Sequence, residues 1–427
     1  MDYKKYKIYI HVFIIIIVLV LFTFLFVKKI LITDLYHPID KEHKIIYFGQ
    51  TLDLENNEIS SNYSKGFQLA FQSVNRTGGI NGYKLKIILY NDKYESSIAL
   101  TNAKLLLDYY NVLALIGTFG TPTTVEILNE CIKGRPIPLI GPFTSSPIIR
   151  KIFNKYLILL LSSTKLELQS ITNNMIKNNV VNMSIIYQND GYGIATYTAL
   201  VQYILENNLN INIISTGKYE RNSIDLENTY KTLFDVKDPY NYNEYKTSQK
   251  LNQIQSVLLI TSEKQIPIFL AELKKIKPSL YIYYTFFAGT SENNYVYLDK
   301  YNSDNIYQTL LGPYLDMETR YPELYKKLHE EINYFEPNKD SLTKINNTQS
   351  LYQGFYTGLL IIDVLKKFDN FDKLNRETFI NMFYNIQNFD IYGLKIGPFI
   401  ENNSNTGLTY ISLNKIQNNT LSFLESS

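Results

Sequence analysis

From residue 44 onward, short apolar runs alternate with amphipathic stretches, and from residue 165 the same alternation begins again. "KIIYFGQTL" reads as a buried strand, "SSNYSKGFQLAFQSVNRTGG" as a helix stopped by Gly78 and Gly79, and "YKLKIILYND" as a second strand. The helix "SSIALTNAKLLLDYYN", the strand "VLALIG", the helix "TPTTVEILNECIK" and the strand "IPLIGPF" complete the first round. The second round runs through "NMSIIYQND", "GIATYTALVQYILENN", "NINIISTGKY", "SVLLIT", "KQIPIFLAELKKI" and "LYIYYTFFAG". Strands separated by helices pair in parallel through crossovers, so the pattern predicts an α/β chain with two doubly wound parallel sheets. A chain of 427 residues is also too long for one compact core, which agrees with two lobes. Residues 232–252 are polar and rich in Tyr and Asn, and they read as a surface insertion.

In open parallel sheets, ligands bind beyond the carboxyl ends of the strands. Three such ends stand out. In "LIGTFGTPTTVEIL" a strand ends at Gly117 and Thr121-Pro122 opens a helix, a cap followed by proline at the first helical position. The hydroxyls of Thr121, Thr123 and Thr124, with the amides of that turn, predict a small anion site. In "IPLIGPFTSSPIIR" Ser146-Pro147 repeats the arrangement, with Phe143, Thr144 and Ser145 just ahead of it. Amides and hydroxyls of two such turns can hold a carboxylate without Lys or Arg. In "IIYQNDGYGIATYTAL" Tyr192 sits where a strand passes into a helix, placed to lay its ring on a ligand. Each turn, taken singly, reads equally well as a well-capped helix.

Several classes of function are poorly served. Lys+Arg 42 against Asp+Glu 40 gives a net charge of +2, without the basic excess of a nucleic-acid binder. Cys131 stands alone and reads as a small buried hydrophobe, so no disulfide framework or thiolate metal site is expected. His11, His37, His43 and His329 include no ligand-spaced pair. The three turns hold no His, Cys or paired carboxylates, so the chain reads as non-catalytic and needs no cofactor.

Residues 8–27, "IYIHVFIIIIVLVLFTFLFV", form an apolar run flanked by "MDYKKYK" and "KKI". As a helix it spans about 30 Å, the thickness of a bilayer's hydrocarbon. No small-residue cleavage site follows, so it is expected to be an uncleaved transmembrane signal-anchor. Lys4, Lys5 and Lys7 favour a cytoplasmic tail of residues 1–7, with 28–43 as linker and the rest extracytoplasmic.

The collinear phrases "YFGQTLDL", "GFQLAFQSVNRTGGINGYKLKIILYND", "VLALIGTFGTPTT", "IPLIGPFTSSPIIR", "IIYQNDGYG", "YERNSIDLE" and "SLYQGFYTGLLIIDVLKK" carry a resemblance. From about 44 to 420 the chain resembles the ABC-transporter substrate-binding proteins of the branched-chain amino acid (Leu/Ile/Val) type. These have the type I periplasmic-binding-protein fold, also used as the ligand-binding region of receptors. The resemblance implies one ligand-binding lobe of residues 44–164 plus 310–388 and another of 165–309 plus 389–427, joined by a three-stranded hinge. It implies a small amino acid-like ligand, its carboxylate held by Thr121, Phe143, Thr144 and Ser145. Tyr192 would cap it from the second lobe, with Ala288, Gly289 and Thr290 nearby. The acidic partner for an ammonium group would be Glu292, with Asp316 a poorer candidate. An ABC permease is the implied partner for transport, and a signalling subunit if the chain is a receptor ectodomain.

Overall fold

The computed structural model describes residues 13, 15–18, 38–55, 57–221, 223–288, 305–314, 317–335, 348–417 and 420–426. The first sheet is built from β1 (Ile39–Asp40), β2 (Ile45–Leu52), β3 (Lys84–Asn91), β4 (Leu115–Ile116), β5 (Leu139–Ile140) and β6 (Leu157–Ile158). Its parallel strands lie in the order β3-β2-β4-β5-β6, with β1 antiparallel along the start of β2. The second sheet holds β7 (Asn182–Gln188), β8 (Asn212–Tyr219), β9 (Ser256–Ile260), β10 (Tyr281–Tyr284) and β11 (Ile306–Leu311) in the parallel order β8-β7-β9-β10-β11. Both sheets therefore follow one winding rule, as the doubled alternation predicts. A hairpin of β12 (Phe389–Ile391) and β13 (Leu394–Ile396) stands apart, while β14 (Ile411–Gln417) and β15 (Thr420–Ser426) extend the second sheet antiparallel beyond β11.

The helices that position the site are α1 (Glu58–Arg76), α2 (Ser96–Lys104), α3 (Thr121–Ile127), α4 (Thr164–Lys177), α5 (Gly191–Glu206) and α6 (Gln349–Leu365). Asn57 caps α1 by accepting from the Ser60 amide, and α1 buries Phe67, Leu69, Ala70 and Phe71. Its buried face packs on α6, which is buried along nearly its whole length. The approach is close because glycines face each other: a Cβ on Gly66 would lie 2.3 Å from the Leu351 carbonyl, and one on Gly354 would lie 2.1 Å from the Tyr63 carbonyl.

Three strands of chain cross between the lobes. Leu159 donates its amide to Asn405 and accepts from Gly407, each at 2.8 Å. Ser162 Oγ donates to the Tyr410 carbonyl at 2.6 Å, and the Gly312 amide reaches the same carbonyl at 3.1 Å. Half-buried Arg150 braces the first crossing, donating to the Leu161 carbonyl at 2.5 Å and to Thr406 Oγ1 at 2.9 Å.

Two expectations about organisation change. Phe389, Ile391, Leu394, Ile396, Phe399 and Leu408 enter the core of the first lobe, so the segment from 389 on returns to the second lobe only at β14. Burial drives this: Phe389, Ile391, Leu394 and Ile396 alternate inward with Asp390 and Lys395 outward, and the inward face joins the first lobe's core. Residues 232–252 include the short helices Tyr242–Thr247 and Gln249–Gln253, and Phe234, Tyr245 and Leu251 anchor them in the second lobe's core. They are part of that lobe's packing rather than a polar surface insertion.

The apolar run 8–27 lies mostly outside the described residues; Phe13 and Ile15–Val18 within it are helical and exposed. Among the described residues no helix is long and apolar enough to cross a membrane.

Candidate functional site

A cavity of about 30 Å³ lies between the lobes, at the carboxyl ends of both parallel sheets. Asn57, Tyr94, Phe119, Gly120 and Thr121 line it from the first lobe, and Gln188, Tyr192, Thr261, Ser262 and Phe287 from the second.

Local chemistry sets each wall. Tyr94 follows β3 and holds a left-handed backbone (φ +59°), which costs an aromatic residue about 1–2 kcal/mol. The buried Asp92 carboxylate offsets that by accepting from the Tyr94 amide at 2.9 Å, and it also accepts from Thr51 Oγ1 at 3.1 Å. Burial pushes the Asp92 carboxyl up to about 6 against these hydrogen bonds. Gly120 ends the β4 turn at φ +86°, and a Cβ there would lie 2.1 Å from the Tyr94 ring, so the glycine lets that ring reach the cavity. Phe119 stacks on Phe143 at 5.3 Å between centroids, and Phe143 is wholly buried behind it against Tyr63, Phe286 and Phe287.

On the second lobe Asp190 caps α5, accepting from the Tyr192 amide at 2.9 Å and the Gly193 amide at 3.1 Å. That cap turns the Tyr192 ring edge-on to Phe287, centroids 5.3 Å apart, and its hydroxyl shares a 2.6 Å hydrogen bond with Thr285 Oγ1. Beneath this wall lies Glu167, wholly buried on α4. Its carboxyl accepts from the Phe286 amide at 2.7 Å and the Thr309 hydroxyl at 2.6 Å. Burial dominates those two bonds and pushes the Glu167 carboxyl up to about 7.

The lobes also meet at the rim. Arg221 beyond β8 pairs with Glu95 at the start of α2 at 3.0 Å, and its guanidinium lies 5.1 Å from the Tyr94 ring centre.

The structure brings Thr121 and Tyr192 to opposite walls of one cavity. The other sequence-marked residues of the first lobe serve the turns themselves. Thr121 is the first helical residue and Gly120 the cap, so the Thr121 hydroxyl is free to share a 2.8 Å bond with Thr144. Thr144 Oγ1 also accepts from the Ser146 amide, and Ser145 Oγ bonds Thr164 at 2.9 Å. Thr123 donates to the Phe119 carbonyl, and Thr124 pairs with Thr118 at 3.0 Å. The expected anion site of hydroxyls is thus a cross-braced pair of turns, with only Thr121 reaching the cavity wall. Ser146 caps only a single short turn, Pro147–Arg150. Ala288 is buried beside Phe287; Gly289, Thr290, Glu292 and Asp316 lie outside the described residues. Sequence reasoning missed Asn57, Tyr94, Phe119, Gly120, Gln188, Thr261, Ser262 and Phe287. The position of Thr261-Ser262 directly after the apolar run "SVLLI" was a usable signal for two of these.

Two sheets of like winding, three crossings and a cavity at both sets of strand ends define the type I periplasmic-binding-protein fold. Residues 56–232 match the family described as "Periplasmic binding protein". An amino acid binding protein of Pseudomonas aeruginosa is 31% identical over 92 residues, 22% of this chain and 24% of that protein's length. A possible leucine/isoleucine/valine-binding protein from Rhodopirellula baltica superposes with a TM-score of 0.72 at 17% identity, covering 90% of this chain and 98% of the other. An ABC transporter substrate-binding protein from Desulfitobacterium hafniense in complex with Leu superposes with a TM-score of 0.64 at 15% identity, covering 89% and 100%. The chain thus shares its fold with these solved proteins, whose names describe leucine/isoleucine/valine binding and the substrate-binding component of an ABC transporter.

Proposed function

We propose that the chain is a membrane-tethered solute-binding protein that closes its two lobes over a small amino acid-like ligand. The observation that carries this is the cavity whose walls come from both lobes, so that a ligand filling it bridges them and favours the closed arrangement. Its volume of about 30 Å³ has room for roughly two waters, so a ligand the size of an amino acid enters only as the lobes part. Tyr94, Phe119, Tyr192 and Phe287 would enclose an apolar side chain, while Thr121, Gln188, Thr261 and Ser262 would hold its polar end. The names of the similar proteins point the same way. Residues 8–27 would tether the chain, leaving the two lobes outside the cytoplasm and able to present their closed surface to a permease or a signalling subunit.

The test is calorimetric titration with amino acids, small carboxylates, amides, urea and purines, paired with thermal unfolding. A ligand at 100 times its dissociation constant adds about 2.7 kcal/mol, enough to raise the melting temperature. Binding by one class, abolished in Tyr192→Ala but with the fold retained, is the expected result. A folded protein that binds nothing in the panel refutes the amino acid-like ligand, and binding indifferent to Tyr192→Ala places the site elsewhere.

A further inference from the structure

The cavity between the lobes is walled mainly by aromatic rings, and the rings come in two pairs. Tyr94 and Phe119 meet on the first lobe at 66°, with centroids 5.9 Å apart. Tyr192 and Phe287 meet on the second lobe at 69°, with centroids 5.3 Å apart. All four line the cavity, and Ile59 is the single aliphatic side chain beside them among the described residues. Two rings set steeply against each other make a corner. Each lobe carries one corner, so closure brings the two together as the sides of a box. The face of an aromatic ring carries partial negative charge, and a box of rings suits a cation with an apolar skin.

The charges around the cavity fit such a guest. No charged side chain lines it among the described residues. Burial first, and then the Asp190 carboxylate on the opposite lobe, push the Tyr94 hydroxyl above its ordinary titration range, so a negative field reaches across the cavity. The Arg221 guanidinium beside Tyr94 acts the other way and more weakly, being paired with Glu95.

Hydrogen-bonding groups narrow the guest further. The Gln188 amide donates to Asp190 at 2.6 Å and accepts from the Tyr219 hydroxyl at 3.2 Å. Ser262 Oγ donates to Gln265, and the Tyr192 hydroxyl is tied to Thr285. Thr261 differs: it is wholly buried on the cavity wall, and its Oγ1 has no hydrogen-bond partner among the described residues. A buried hydroxyl left so is costly, and an oxygen of the ligand would satisfy it. A primary ammonium would instead bring three N–H donors, and the described walls hold no carboxylate to accept them. A nitrogen whose hydrogens are all replaced by alkyl groups needs no acceptor.

We infer that the ligand is a small zwitterion of the betaine type. Its quaternary ammonium sits among Tyr94, Phe119, Tyr192 and Phe287, and its carboxylate meets the hydroxyls of Thr261 and Thr121. The alkyl shell of the cation takes the place of an amino acid's apolar side chain. The inference rests on the proposed amino acid-like ligand and names its class, and the experiment tells the two apart.

Full-length chain in detergent is titrated calorimetrically with glycine betaine and with tert-butylacetate, which keeps the shape and the carboxylate but has carbon in place of the charged nitrogen. Leucine and choline complete the set. A desolvated cation on one ring is worth about 30-fold in affinity, so betaine should bind at least about 30-fold more tightly than its carbon isostere. Phe287→Leu keeps the apolar bulk and removes a ring; it should weaken betaine about tenfold and leave the isostere nearly unchanged. Thr261→Val should weaken both at least about tenfold, since both carry the carboxylate. If Phe287→Leu fails to fold, the ratio of betaine to isostere in the unaltered chain decides. Equal affinity for the two, or a loss in Phe287→Leu shared by both, overturns the inference. So does leucine binding by a protein that ignores betaine, and the amino acid-like ligand then stands. Choline bound in place of both leaves the ring box standing and refutes the carboxylate end, and with it the amino acid-like ligand. No binding by any of the set refutes both readings.

Discussion

Replacing Glu167 by Gln should change how stability depends on pH, in a window set by its burial. The carboxyl stands at about 7 in the folded protein against an ordinary 4.5, because burial outweighs its bonds from Phe286 and Thr309. Between those two values the unfolded chain has lost the proton and the folded chain keeps it. Stability from this group is therefore complete below about pH 4.5, falls as pH rises, and levels off above about pH 7. The gap of about 2.5 in pH, at 1.36 kcal/mol each, amounts to about 3 kcal/mol. Glutamine keeps an oxygen for the Phe286 amide and the Thr309 hydroxyl without titrating. Urea unfolding of wild type and Glu167→Gln from pH 4 to 8 gives the comparison, and taking the difference cancels Asp92, which titrates in both. The wild type should lose about 3 kcal/mol relative to the variant across that range, nearly all of it below pH 7. Parallel profiles would refute a buried, protonatable Glu167, and a difference that grows above pH 7 would place its titration elsewhere.

Gly120→Ala should weaken ligand binding at least tenfold and also lower stability by about 1–3 kcal/mol, since its Cβ would strain a backbone at φ +86° and displace the Tyr94 ring from the cavity wall; calorimetric titration of the folded variant reads the first effect, and unchanged affinity would remove Tyr94 from the site. Arg150→Ala should lower stability by about 3 kcal/mol, because hinge carbonyls of Leu161 and Ser162 lose a half-buried charged donor; a loss in urea unfolding free energy under a quarter of that size would show the hinge held by its backbone bonds alone. A double-mutant cycle on Glu95→Ala and Arg221→Ala should show a coupling of about 0.5–1 kcal/mol that high salt removes, with a larger radius of gyration in either variant from small-angle scattering. No change in size would mean that this pair does not help hold the lobes together.

The doubled alternation of runs was enough to read two wound sheets, because a parallel strand needs an apolar run and a crossover and both leave marks in the text. Strand ends could be read too, and Thr121 and Tyr192 were found that way. What the text does not state is the direction of hydroxyls. Thr123, Thr124, Thr144 and Ser145 look available on paper, yet Thr123 and Thr124 bond back within their own turn to the Phe119 carbonyl and Thr118, and Thr144 and Ser145 bond Thr121 and Thr164, 23 and 19 residues away. Tyr94 was illegible for a related reason: its left-handed backbone depends on Asp92, and its reach depends on the missing Cβ of Gly120. Glu167 sits in "TKLELQS", which reads as an exposed turn of helix until Thr309 and Phe286 close over it. The 389–408 segment was expected in the second lobe and packs against the first, since short alternating strands state which face is buried and not against what.

The pairing of α1 with α6 also bears on how the chain comes together as it is made. The first lobe's sheet is complete by residue 158, but the helix that covers α1 ends at residue 365, after β7 through β11. Until then Phe67, Ala70 and the bare Gly66 face have no partner of their own. The second lobe's parallel strands, contiguous from 182 to 311, can pair while that face still waits. The half of the chain that leaves the ribosome first is the half whose core closes last, and through that interval it depends on the segment that follows its neighbour.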